Sequence, residues 1–171
     1  MDLAELSVDA LALSLITADR QATDDELAQI VAHVAAAPFS TRLVRVTRWL
    51  REQLVEKGIA LEADRLPSVN VHLLKRVYID GQWPTDATVG SYLSDLHQAV
   101  SHPDVRIWTY RYYAEPYVGF LSPSHVQTVL SPQPYIFVAY NPRYGAITTG
   151  YQAGEPESIF TDEFKQLRKQ R

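Results

Sequence analysis

The chain has 171 residues, 46% of them hydrophobic, and no cysteine. That length can bury a real core without staples, and the lack of thiols excludes disulfides, thiolate chemistry and cysteine-ligated zinc. The net charge of −4 is unevenly spread, with 11 acidic and 7 basic groups in residues 1–66 and nine of each in residues 67–171, which argues against indiscriminate nucleic-acid binding.

Met1 to Glu5 lacks a basic start, and the apolar run Val8 to Ala18 is broken by Asp9, Ser14 and Thr17. It is too short and too polar to span a bilayer or to act as a signal peptide. The sequence therefore reads as cytoplasmic, with no membrane partner. Leu6 to Arg20 has the apolar stripe of a buried helix. Thr23-Asp24-Asp25-Glu26 is a capping box that opens a second helix, which Pro38 stops by about Ala37. Ser40 is expected to cap a third helix ending at Gly58. On it, Arg42, Arg45, Arg48 and Arg51 would form a solvated face at i+3 spacing.

Pro67 suits the first turn of a short helix from Ser68 to about Val77. Asp80-Gly81 signals a turn, and Asp86 or Thr88 can cap a helix running to Val100. The texture changes at Val105. Strands are expected at Val105–Tyr110, Tyr117–Leu121, Tyr135–Tyr140 and Ala146–Gln152, with Asn141 to Gly145 as a hairpin loop. Ser124 to Leu130 reads as a strand or one helical turn, and the polar, basic tail from Phe164 to Arg171 as frayed at its end. Helices followed by strands with short loops imply an α+β fold: N-terminal helices, then a small antiparallel sheet of four to five strands. Residues 1–66 are expected as a helical region and 67–171 as an α+β domain.

There is no Walker loop, GxGxxG, HExxH or GxSxG. The five histidines show no metal-ligand spacing, so neither a metal nor another cofactor is expected. Two segments can carry chemistry. On a helix, His72 shares a side with Lys75 and Arg76 at i+3 and i+4. Two adjacent cations disfavour its charged form, which keeps it available as a base, and they can hold a phosphate. More ordinarily, this segment is an amphipathic helix. On a strand, Thr149 and Tyr151 point the same way across Gly150, a glycine of the kind that marks close approach. Here the plainer account is an edge strand rich in β-formers.

The helical His72, the strand Tyr135–Tyr140, a glycine-containing turn and the Ile147-Thr148-Thr149-Gly150-Tyr151 strand together resemble the barnase–EndoU–colicin–RelE superfamily of small RNases. The specific part is the last hairpin with its Ile-x-Thr-x-Tyr pattern. The resemblance covers about residues 68–160. It implies a metal-independent endoribonuclease of toxin type, with RNA as partner. His72 would be the base, Lys75, Arg76 or Arg143 the cations, and Thr149 and Tyr151 the phosphate-orienting groups. Tyr112, Tyr113, Tyr140 and Tyr144 would offer stacking faces. The second histidine used by EndoU-type members has only His102 and His125 as candidates. The competing class is a non-catalytic protein-binding module, such as an immunity-type partner of a basic toxin. The two diverge on one point: a nuclease needs His72 in one cleft with Thr149 and Tyr151. The sequence leaves the oligomeric state open.

Overall fold

The computed structural model describes residues 7–171. The readings at Met1 to Leu6 lie outside the described residues. α1 (Val8–Ala18) starts at Ser7, whose hydroxyl accepts from the Ala10 amide. α2 (Asp24–Val34) opens with the expected capping box of Thr23 and Glu26. Arg20 closes the box from outside, donating to both Glu26 carboxylate oxygens at 2.9 and 2.8 Å.

The third helix differs from expectation. Leu43–Arg45 is a short strand, β1, and α3 spans Arg48–Glu56 with Thr47 as its cap. β1 pairs antiparallel with β2 (Arg65–Pro67). A partner twenty residues away outweighs local helix preference, so Arg42 and Arg45 leave the expected helical face. α4 (Ser68–Leu74) continues into a π-helical turn over Lys75–Ile79. α5 (Val89–Val100) begins at Thr88, again with a reciprocal cap, from Ser91.

β3 (Arg106–Tyr112), β4 (Glu115–Pro123), β5 (Tyr135–Asn141) and β6 (Ala146–Ala153) follow, then α6 (Pro156–Ile159) and β7 (Phe164–Lys169). They form one antiparallel five-stranded sheet in the order β6-β5-β4-β3-β7. The fold is the expected α+β class. The tail is an edge strand and not a frayed end. It is held by Gln170, whose side chain donates to the Arg20 carbonyl and to Thr109 and accepts from the Ala22 amide.

The sheet separates two cores. One face packs Ile107, Val118, Phe120, Ile136, Val138, Tyr140 and Ile147 against α1, α2 and α5. The other carries Trp108, Tyr110, Phe137, Ala139 and Tyr151, partly covered by Ile159, Phe160 and Phe164. A third cluster seats Val46, Leu50 and Leu54 on Val71 of α4. The expected division after residue 66 is not a seam. It falls inside β2, and the main core draws residues from both sides of it. Hydrophobic burial favours one shared core over two small ones. None of the described helices is long and apolar enough to cross a membrane.

Candidate functional site

β6 is an edge strand, so its outward backbone groups need partners from outside the sheet. Residues 38–40 and the α4 region supply them. Ile147 donates to the Pro38 carbonyl and accepts from the Ser40 amide. Gln82 exchanges bonds with both backbone groups of Gln152. Arg76 Nε donates to the Gly150 carbonyl at 2.9 Å, and the buried Tyr92 hydroxyl donates to the same oxygen. α4 and the π-helical turn are thus stitched to the strand that carries Thr149 and Tyr151.

That stitching brings together residues more than seventy positions apart. His72 Nδ1 lies 3.3 Å from Thr149 Oγ1, and Arg76 Nη2 lies 3.3 Å from Thr149 Oγ1 and 3.4 Å from His72 Nδ1. The guanidinium carbon stands 5.4 Å from the centre of the Tyr151 ring, within range of a cation–π contact. Asp80 pairs with Arg76 Nη1 at 2.7 Å. Arg76 can only donate, so Nδ1 of His72 is an acceptor and the neutral ring carries its proton on Nε2. The simplest proton arrangement is a chain from Arg76 to the Thr149 hydroxyl to His72 Nδ1.

Electrostatics hold that state. Burial, then the charge of Arg76, then that of Lys75 lower the His72 pKa to about 3, so the imidazole is neutral at pH 7. Burial raises the Tyr151 phenol to about 12 against the opposing pull of Arg76, so it stays protonated and able to donate. Phe39 covers the imidazole, with ring centres 5.4 Å apart.

β6 also carries a bulge. Ala139 opposes Thr149 and Tyr140 opposes Ile147, which leaves Thr148 as an extra residue. Ile147 therefore faces the helices while Thr149 and Tyr151 face the aromatic side. Bulges are common beside active sites, where they re-aim side chains. On that side a cavity of about 330 Å³ is lined by Thr148, Thr149, Tyr151, Tyr110, Tyr117 and Phe137, among others.

His72, Arg76, Thr149 and Tyr151 are thus assembled, with Lys75 close enough to act on His72 through its charge. Two expected substrate contacts lie elsewhere. Tyr140 is 1% exposed on the helix face, its hydroxyl donating to Asp9 at 2.6 Å and 3.1 Å from His33 Nε2. Its ring is not offered for stacking, because strand alternation and the bulge turn it inward. Arg143 sits in the β5–β6 turn, paired with Glu115 at 3.2 Å. The candidate second histidines are also engaged apart from this cluster: His125 with Asp95 at 2.9 Å, and His102 with the Asp104 amide at 3.0 Å. Sequence reasoning missed Phe39, Tyr92 and Asp80. Of these, only Asp80 left a signal, its i+4 spacing from Arg76.

No family model matches the chain, and no curated protein or solved structure matches it either.

Proposed function

We propose that the protein is a metal-independent RNA-cleaving enzyme whose site is His72, Arg76, Thr149 and Tyr151. The observation that carries this reading is the convergence of His72, Arg76 and Thr149 within 3.4 Å beside an aromatic-lined cavity. A neutral imidazole, a fixed guanidinium and two hydroxyls are the groups that transesterification of a phosphodiester needs. A ribose 2′-OH replaces Thr149 as the donor to His72 Nδ1 and gives up its proton there. The 2′-oxygen attacks phosphorus, and the bond to the 5′-oxygen breaks. The leaving oxygen takes a proton, for which the un-ionised Tyr151 is the available donor. Arg76 balances the charge on the crowded phosphorus, and Lys75 adds to the local positive field. A bound phosphate also offsets the two cations that depress His72, so its basicity rises when substrate is present. The base of the nucleotide enters the aromatic cavity and stacks there.

A second reading has one observation in its favour. Arg76 is only 13% exposed and already bonded to Gly150 and Asp80, as befits a clamp on the edge strand. In that reading the chain is a non-catalytic protein-binding module and His72 is a packed neutral side chain. Cleavage of RNA in EDTA separates the two. Wild type should leave 2′,3′-cyclic phosphate ends. His72→Ala and Tyr151→Phe, each checked for native circular dichroism, should lose on the order of a hundredfold in rate. Folded wild-type protein that leaves RNA intact removes the enzyme reading.

A further inference from the structure

The β1–α3–β2 unit carries a second cluster that the candidate site does not use. Arg45 and Arg65 are direct cross-strand partners in the two-stranded ladder. Both are exposed, and neither makes a salt bridge or a side-chain hydrogen bond among the described residues. Like charges placed directly opposite destabilise a ladder, so the fold carries a repulsion that local packing does not explain. Arg48 and Arg51 of α3 join them around a concave pocket of about 450 Å³, in which Asp64 is the acidic lining residue. Asp64 does not neutralise the cluster. It is fully exposed and stands 3.9 Å from Arg51 alone. Arg51 is held rigid by the Leu61 and Ala63 carbonyls, while Arg48 reaches Glu52 on the surface.

We propose that this pocket binds backbone phosphate of single-stranded nucleic acid. The choice of cation supports phosphate: the four basic lining residues are all arginine, whose planar fork pairs with phosphate oxygens in bidentate fashion. An anion between Arg45 and Arg65 converts their repulsion into shared attraction. Trp49, one position along α3 from Arg48, lies outside the pocket lining and is 54% exposed, so its ring is open to a base that extends past the arginines. The unit packs on α4 through Val71, so a strand anchored here lies against the element that bears His72. RNA is chosen over DNA as probe only because of the proposed cleavage.

The test is fluorescence anisotropy with a labelled 2′-O-methyl oligouridylate of about 15 nucleotides, which lacks the attacking hydroxyl and so reports binding whether or not the protein cleaves RNA. The comparison is wild type, Arg45→Gln/Arg65→Gln, and Lys165→Gln/Lys169→Gln on β7, which removes the same charge elsewhere. Binding at about 50 mM salt should weaken on the order of tenfold in the arginine pair and by about twofold or less in the lysine pair. The slope of log affinity against log salt should fall by about 1.4 in the arginine pair. Without oligonucleotide, the arginine pair should melt no lower than wild type, since a repulsion has been removed. Equal losses in the two pairs, or no wild-type binding, would overturn the proposal. An intact oligonucleotide affinity in a protein that fails to cleave RNA would overturn only the enzyme reading.

Discussion

On the helix side of β6, Gly150 lies beneath Leu96 so closely that an added Cβ would meet both Leu96 methyl carbons at 2.5 Å. On the other side of the same strand, Thr149 and Tyr151 are half-buried, and they border a cavity. One backbone thus serves a closed core on one face and a chemically equipped surface on the other. The contrast teaches that the glycine in this strand is a packing requirement of the helix face. Arg76 is the residue that spans the two, bonded to the edge carbonyl of Gly150 and to the Thr149 hydroxyl.

The comparison breaks most severely when Arg76 is removed. Arg76→Ala takes the guanidinium from the Asp80 carboxylate, leaves Tyr92 as the remaining side-chain donor to the Gly150 carbonyl, and empties a mostly buried position. It should cost about 3 kcal/mol in urea unfolding. A loss below about 1 kcal/mol would mean that water replaces the guanidinium and the clamp is not structural.

Gly150→Ala probes the closed face alone. Alanine in place of a strand glycine ordinarily gains about 0.5–1 kcal/mol. Here the clash with Leu96, which is 0% exposed, should reverse the sign and cost about 2 kcal/mol. Adding Leu96→Ala should make the double variant less destabilised than the sum of its singles. Strict additivity would deny the contact.

The open face is sharpened by pH. The His72 pKa is about 3 in the folded chain against 6.5 unfolded, so the unfolded state binds the extra proton between those values. Stability contributed by keeping His72 neutral is complete above about pH 6.5 and is lost as pH falls towards 3, at up to about 1.4 kcal/mol per unit. Carboxylates add to acid unfolding over a neighbouring range. Glu26, for example, is held at about 2, chiefly by its hydrogen bond from Arg20. The reading is therefore the difference in urea midpoint between wild type and His72→Gln across pH 4–7. Parallel curves would place the imidazole in water.

The smallest effect is expected from Tyr92→Phe, which removes one of the two donors to the Gly150 carbonyl and keeps the ring packed against Trp83 and Phe39. It should cost about 1 kcal/mol, with no change in the pH dependence assigned to His72.

Much of this architecture can be read locally. Thr23 with Glu26, and Thr88, announce their helices because a cap is a contact between neighbours in sequence. The strands β3 to β6 announce themselves by β-branched and aromatic runs, and Thr149 and Tyr151 share a face because strand periodicity is two. The pairing of His72 with Arg76 follows from helical spacing, although the chain there widens into a π-helical turn. β1 and β7 were not legible in this way. Leu43–Arg45 is too short to have a pattern of its own, and Phe164–Lys169 is polar, so each exists as a strand because a distant partner supplies its hydrogen bonds.

By itself, then, the sequence determined the α+β class, the caps at Thr23 and Thr88, the shared strand face of Thr149 and Tyr151, and the helical spacing that sets His72 beside Arg76. Tertiary structure alone decided that Tyr140 turns inward, that Thr148 bulges so that Ile147 and Thr149 part company, and that four arginines gather around β1 and β2. The physical reason is range: caps and periodicity are set within a few residues, whereas register, bulges and edge coverage are set by burial and hydrogen-bond satisfaction summed over the whole sheet.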